Sequence, residues 1–275
     1  MFSRVYVEIT NLCNMRCSFC HGHSRKPRTM KKNEFLQILE KLKKHTQYIY
    51  YHLMGEPLTH PEFVDFLTLA KDKGYKSVIT TNGTLLKKLG SDIINTNVHK
   101  VNISVHSFEG GDKNSFNEYM SSITEFADIA SNKGIIVVLR LWNEGFDNLN
   151  DDVMAFFKNR LEGVWSENTK GITIRKNLYI EYDERFGWPD MSADIQGDKF
   201  FCYGLRDHFG ILCDGTVVPC CLDSDGIIKL GNIFEENLED ILSSPRTKAI
   251  IESFSQRKAS EELCKRCQYA QRFIK

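Results

Sequence analysis

The sequence has no charge bias: 36 Lys and Arg stand against 36 Asp and Glu, a formal net charge of zero. It therefore lacks the broad basic surface that drives nucleic-acid binding through counterion release. No apolar run approaches the roughly 20 residues of a membrane-spanning helix. The opening residues, MFSRVYVEITNLC, run straight into a strand-like alternation, with no apolar signal core and no cleavage site. No nucleic acid and no membrane are expected as partners, and the expected compartment is the cytoplasm. Proline is sparse, at six in 275 residues, and there is neither an internal repeat nor a low-complexity linker. The length allows one large domain, with or without a small appendage. Such a chain buries enough surface to fold without disulfide staples.

Cysteine is missing from position 21 through position 201. The nine that exist are gathered towards the two ends: Cys13, Cys17 and Cys20, then Cys202, Cys213, Cys220, Cys221, Cys264 and Cys267. An odd number fits a disulfide framework poorly. Thiols clumped at short spacing in a reducing compartment usually hold metal.

Strand and helix signals alternate over the first two-thirds. Val5, Val7 and Ile9 face one way within Arg4 to Thr10, and Tyr6, Glu8 and Thr10 the other. Phe35, Ile38, Leu39 and Leu42 recur at helical spacing within Asn33 to Gln47. Tyr48 to Leu53, Lys76 to Thr81, Lys100 to His106, Ile135 to Trp142 and Ile172 to Tyr182 read as further strands. Helices are predicted over Pro61 to Gly74, Leu85 to Asn95, Ser115 to Asn132 and Asp151 to Leu161. Six strands separated by five helices require parallel strands with crossover helices. The expected fold class is α/β, a partial (β/α)6 parallel barrel followed by a small C-terminal unit with a β-hairpin and a helix. Functional residues then belong at the C-terminal ends of the strands. CNMRC, MGEP, TNG and SVHS all stand there.

Three thiolates in one short loop suit three corners of a cubane iron–sulfur cluster. They also suit zinc, with His21 or His23 as a fourth ligand. Cys202, Cys220, Cys264 and Cys267 flank a hairpin signal at Asp214-Gly215, and four such thiolates suit either an iron–sulfur cluster or a zinc ribbon. Cys213 and Cys221 read as buried thiols, with a swap between Cys220 and Cys221 as the alternative. Strand parity points Glu8, His52 and His106 into the barrel, as linings or as a general base. The basic stretch HGHSRKPRTMKK reads as a solvated loop or as a cover over an anionic substrate.

Cys13-x3-Cys17-x2-Cys20, with Phe19 in the aromatic place, resembles the signature of the radical S-adenosylmethionine (radical SAM) superfamily, and the resemblance extends from about Val5 to Trp142. It implies a [4Fe–4S] cluster on Cys13, Cys17 and Cys20 whose free iron chelates SAM, so that reduction yields a 5′-deoxyadenosyl radical. Met54-Gly55-Glu56-Pro57 resembles the family's GGEP motif, with Met54 in place of the first glycine. On this resemblance Phe19, Gly55, Glu56, Pro57, Asn82, Ser104 and Arg140 are SAM-site residues. The later cysteines resemble the SPASM/twitch extension in its shorter, twitch form. That implies a second [4Fe–4S] cluster on Cys202, Cys220, Cys264 and Cys267, with residues 1–183 as the radical SAM unit and 184–275 as linker and auxiliary unit. The spacing is similar to that of the 2-deoxy-scyllo-inosamine dehydrogenases and the anaerobic sulfatase-maturating enzymes.

The implied activity is hydrogen abstraction followed by two-electron oxidation of the substrate. Peptide or protein modification by crosslinking, epimerisation or side-chain oxidation is the alternative, with Cys213 as hydrogen donor in an epimerase. A non-enzymatic electron-transfer protein accounts for the cysteines but not for MGEP and TNG. Implied partners are a small-molecule or peptide substrate and an external reductant such as flavodoxin or ferredoxin. Peptide modifiers often carry an N-terminal leader-binding domain. With the first cysteine motif at residue 13, none is expected, which favours a small or partner-recruited substrate.

Overall fold

The computed structural model describes residues 1–145 and 149–273. In chain order, β1 (Arg4–Val7), α1 (Lys32–Leu42), β2 (Tyr48–Tyr51), α2 (Phe63–Asp72), β3 (Lys76–Thr81), α3 (Leu86–Asn95), β4 (Lys100–Ser104), α4 (Lys113–Asn132), β5 (Ile136–Glu144) and α5 (Asn150–Arg160) alternate as expected. Then follow β6 (Ser166–Asn168), β7 (Gly171–Arg175), β8 (Leu178–Glu184), β9 (His208–Ile211), β10 (Thr216–Val218) and β11 (Gly231–Asn232). Three helices end the chain: α6 (Leu238–Ser243), α7 (Pro245–Ser255) and α8 (Glu262–Lys265). No helix is long and apolar enough to cross a membrane among the described residues.

All eleven strands belong to one open sheet, in the order β11-β10-β9-β1-β2-β3-β4-β5-β8-β7-β6. β1, β2, β3, β4, β5 and β8 form the six-stranded parallel part, a partial barrel and not a closed one. The sixth strand differs from its expected form. Ile172 to Tyr182 is not continuous: it folds back at Lys176 and Asn177, and only β8 joins the parallel set while β7 runs antiparallel to it. Asn177 takes a φ of 66°, a left-handed position that asparagine tolerates. Apolar residues on both sides of that turn hid it in the alternation.

The C-terminal strands do not form a sheet of their own. β9 pairs parallel to β1, with Arg4 opposite His208 and Val7 opposite Ile211, and β10 returns antiparallel around Asp214-Gly215. The edge that β1 would otherwise present is thereby covered.

The two faces of the sheet are unlike. Val5, Val7, Ile49, Tyr51, Ile79, Val101, Ile103, Val137, Leu139 and Leu141 face the helices, and each is 0 % exposed. On the inner face Arg4, Tyr50, Thr80, Ser104, Arg140, Trp142, Tyr179 and Glu181 are half-buried and mostly polar. Period-two alternation thus separates a packed core from a polar hollow.

Gly215 holds a φ of 87°, and a Cβ there would lie 2.4 Å from the Phe234 ring and 2.6 Å from Asn232 Oδ1. Gly215→Ala should therefore cost about 1–3 kcal/mol for the backbone strain alone. Urea unfolding would show this as a lower midpoint, and an unchanged midpoint would contradict it.

Candidate active site and cluster sites

The cluster loop after β1 is short and has few backbone bonds of its own. Cys20 N donates to Cys17 O at 3.1 Å, and Met15 N approaches Cys13 Sγ at 3.4 Å. Side chains from other loops hold it in place. Ser18 N donates to Glu109 Oε2 at 2.6 Å, and Arg185 lies 3.7 Å from the same carboxylate. Phe19 stacks near His106 at 5.0 Å, with the Arg185 guanidinium 5.2 Å from its ring. Cys13 and Cys20 are exposed and Cys17 half-buried. Burial pushes the Cys17 thiol up to about 11.

Three motif loops meet at the C-terminal rim of the parallel strands. Gly55 has a φ of 76°, and a Cβ on it would lie 2.5 Å from Thr10 O and 2.8 Å from Leu12 O. Only glycine lets this backbone touch the base of the cluster loop. Glu56 N donates to Leu12 O at 2.8 Å. The Glu56 side chain turns inwards, where Oε1 accepts from Leu58 N at 3.1 Å and Oε2 from Asn82 N at 2.7 Å. Burial raises its pKa to about 7. Asn82 in turn bonds Asn14 at 3.0 Å, while Thr84 N and Oγ1 donate to Asn82 Oδ1 at 3.0 and 2.7 Å. Glu56 and Asn82 therefore tie MGEP, TNG and the cluster loop into one rim. Pro57 opens a short 3-10 turn and is buried. Ser104 and Arg140 are register partners on β4 and β5, both on the inner face. Arg140 lies 4.2 Å over Trp142 and 3.9 Å from Glu181, and its Nε has no hydrogen-bond partner.

The three inward-pointing candidates behave differently. Glu8 is 1 % exposed and fully engaged. Its two oxygens take Arg25 Nη1 and Nη2 at 2.7 Å each, and also Met54 N and Cys213 N at 3.1 Å each. His106 Nδ1 lies 3.0 Å from Arg140 O and accepts from Trp142 N at 3.3 Å. His52 Nδ1 is buried without a partner, and burial with the nearby Arg140 and Arg4 lowers its pKa to about 3.

The basic stretch is not a free solvated loop. Arg25 Nε donates to Ser224 O and Arg28 Nε to Cys213 O, each at 2.7 Å, and Ser24 bonds Asp225. It straps the cluster loop to the C-terminal hairpin. Sequence reasoning missed this strap, because its partners lie some two hundred positions away and only the lone inward acid, Glu8, hinted at it.

In the C-terminal unit, Cys202, Cys220, Cys264 and Cys267 converge. Burial and then the field of the neighbouring thiols hold Cys220 and Cys264 well above the usual thiol range, and burial takes Cys267 up to about 11. Gly204 N donates to Cys202 Sγ at 3.3 Å, and Cys267 N to Cys264 O at 3.2 Å. Crowded thiols that cannot ionise on their own fit a cationic iron–sulfur core, which supplies the missing positive charge. Among the described residues no three His, Cys, Asp or Glu side chains are arranged to hold a single metal ion. His23 Nε2 lies 2.9 Å from Asn11 O, and His21 stacks on Trp188 beside Asp190. Cys213 is 1 % exposed and 3.8 Å from Arg25. Cys221 packs instead with Tyr6, Leu53, Leu212 and Val218 on the inner face.

Arg25→Met should leave the buried Glu8 carboxylate without its counter-ion. Loss of one partner of a buried pair costs about 3–5 kcal/mol, so the urea midpoint should fall sharply. A variant as stable as the parent would show that the strap carries no stability.

Comparison with known proteins agrees with this geometry. The family model for the radical SAM superfamily matches residues 7–152, and that for an iron–sulfur cluster-binding domain, SPASM, matches residues 202–268. The sporulation killing factor maturation protein SkfB of Bacillus subtilis is 25 % identical over 270 residues, 87 % of this chain and 64 % of its own length. A GTP 3′,8-cyclase of Thermodesulfovibrio yellowstonii is 27 % identical over 88 % of this chain and 90 % of its own. The tungsten-containing aldehyde ferredoxin oxidoreductase cofactor-modifying protein of Pyrococcus furiosus is 38 % identical over 86 residues, which are 30 % of this chain and 24 % of that protein. This chain thus spans under two thirds of the Pyrococcus furiosus protein and of SkfB. Among solved structures, BtrN in complex with AdoMet and 2-DOIA superposes with a TM-score of 0.65 at 18 % identity, covering 97 % of this chain and 93 % of that one. Streptococcus suis SuiB bound to S-adenosylmethionine gives 0.61 at 17 % identity, covering 97 % and 72 %. These two structures speak for the fold. The radical SAM match takes in more than half of the residues and includes all three cysteines of the first loop, and the chain belongs to the radical SAM superfamily.

Proposed function

We propose that this chain catalyses a SAM-dependent two-electron oxidation of a small-molecule or peptide substrate. Residues 1–183 form the radical SAM unit on this reading, and residues 184–275 the linker and a twitch-type auxiliary unit. The observation that carries it is the joining of two separate thiol groups to one polar hollow. Cys13, Cys17 and Cys20 stand on its rim, and Cys221, next to Cys220, packs into its wall beside Tyr6. When bound, SAM and the first cluster would supply a 5′-deoxyadenosyl radical, and a cluster on Cys202, Cys220, Cys264 and Cys267 an acceptor for the electron that the substrate gives up.

The chain's own residues then have defined tasks. Gly55 brings the MGEP backbone against the cluster loop, and Glu56 and Asn82 hold that loop in register. Ser104 and Arg140 offer a hydroxyl and a guanidinium side by side on the inner face, the pair suited to the ribose and carboxylate of SAM. Glu8 is spent on Arg25, so it is not the base. His52 is kept neutral by burial beside Arg140 and Arg4, so it is a poor proton acceptor, and its unpartnered Nδ1 is left to hydrogen-bond a ligand. An external reductant such as flavodoxin or ferredoxin would feed the first cluster. Nine free thiols suit the reducing cytoplasm.

A second reading, hydrogen return to the substrate as in an epimerase, has support of its own in the placement of Cys221. The donor would then be Cys221 and not Cys213, since Cys213 is walled in by Glu8 and Arg25.

Two cubanes require about eight irons per chain after anaerobic reconstitution. Replacing Cys13, Cys17 and Cys20 together by alanine should leave about four, and tight zinc in either form would sink the assignment. Reduced protein should cleave SAM to 5′-deoxyadenosine and methionine, and Cys17→Ala should lose that activity. With Cys264 and Cys267 both replaced by alanine in a protein shown to be folded, SAM cleavage should survive and oxidised product should vanish. A product of unchanged oxidation state carrying a solvent hydrogen would instead favour the epimerase reading.

A further inference from the structure

The polar hollow carries an excess of positive charge near the N-terminal ends of its strands. Arg4 opens β1 and Lys100 opens β4, and both point inwards. The Arg4 guanidinium lies 5.8 Å from the Tyr6 ring and 5.6 Å from the Tyr50 ring, and its Nε is buried without a partner. Neither Arg4 nor Lys100 makes an ion pair among the described residues, whereas the acids facing this space each have a cation beside them. Glu8 is matched by Arg25, Asp183 by Arg272, and Glu181 stands 3.9 Å from Arg140. Burial lowers the Lys100 pKa despite the nearby Glu181. His52 and His208 contribute no negative charge, and each leaves a buried Nδ1 without a partner.

Arg4 and Lys100 are half-buried, so water and small solutes still reach them, and a cation shielded in part from water gains from meeting an anion. A structural explanation would need a free carboxylate within reach, and the acids near these cations are already engaged, Glu181 3.9 Å from Arg140 and Asp207 2.7 Å from Arg206. Two inward cations, aromatic hydroxyls and unpartnered nitrogens form a receptor for an oxyanion. The C-terminal unit borders the same space, since Cys221 packs against Tyr6 and Leu53.

We infer that this hollow takes a substrate bearing an oxyanion, carboxylate or phosphate, which Arg4 and Lys100 receive at the floor so that the rest of the molecule points to the rim. The inference deepens the proposed function by naming a substrate class, and it rests on that reading. Anchoring at the floor is what would give an open-mouthed hollow orientation: the negative end is fixed below, and the reacting carbon is presented to the SAM side. Arg140, higher on the wall, remains available for SAM.

The test uses reconstituted protein with inorganic phosphate and acetate as probes, read by isothermal titration and by thermal shift. Wild type should bind at least one probe saturably, and Arg4→Gln and Lys100→Gln should each weaken that binding about tenfold or more. Lys158→Gln, at an exposed cation on α5, should not. Binding of phosphate alone would assign a phosphorylated substrate, and of acetate alone a carboxylate one. Should both variants misfold, amine-reactive labelling of wild type decides the question, because the bound probe should slow modification of Lys100 and leave Lys158 unaffected. No saturable binding, binding that survives both replacements (an adventitious ion only), or unprotected Lys100 would overturn the inference. SAM cleavage is measured on the same wild-type sample. Cleavage without anion binding defeats only the substrate class, and loss of cleavage defeats the functional reading whatever the anions do.

Discussion

The Glu8 carboxylate is the joint on which the architecture turns. A buried carboxylate costs several kcal/mol to desolvate, and here four donors offset that cost. A bidentate guanidinium is the strongest neutral-pH partner available to it, and Arg25 supplies one. The remaining two bonds reach Met54, at the start of the MGEP loop, and Cys213, in the C-terminal hairpin. One side chain on β1 thereby sets the strap, the MGEP loop and the C-terminal hairpin in a single frame. The continuous pairing of β9 onto β1 extends this junction along the sheet.

The rim follows the same logic on a smaller scale. Its loops lack ladder bonds, so buried side chains take over the work of a ladder. Glu56 satisfies two backbone N–H groups that would otherwise be orphaned, and Asn82 spans to Asn14. Residues that look like ligand contacts in a motif are, at these two positions, the cross-ties that make a ligand site possible. The groups left facing the hollow, Ser104, Arg140 and His52, lie on or just beyond strands whose register is fixed by neighbours on both sides.

How far the sequence revealed this depends on the range of the interaction. Strands and helices up to α5 were legible because each is a local alternation or a local periodicity. The cysteine spacings and the Asp214-Gly215 turn were legible for the same reason. The β7–β8 hairpin was not, since Lys176-Asn177 interrupts an apolar run without a glycine or proline to mark it. Nor was the strap: Arg25 and Arg28 sit in a run of basic residues that resembles a solvated loop until Cys213 and Ser224 arrive from the far end of the chain. The inward direction of Glu8 could be read from parity, but its partners could not. Cys221 posed the same difficulty, because adjacency to Cys220 says only that the two side chains diverge, not that one of them enters the hollow.

The unlike faces of the sheet show where stability and chemistry are divided. Closed parallel barrels fill their interior with branched aliphatic layers and gain packing from both sides of every strand. Here the inner face is largely polar and partly open, with apolar packing confined to a small cluster of Tyr6, Leu53, Leu212 and Val218 and to single residues such as Val78 and Val138, so most of that gain is forgone. The helix-facing side must make up for it, and the ten strand residues there with no exposed surface are almost all Val, Ile or Leu. At roughly 25 cal/mol per Å² of apolar surface, each such side chain contributes about 1.5–3 kcal/mol. The arrangement allows the hollow to hold unpaired cations and unpartnered nitrogens that a packed interior would not tolerate.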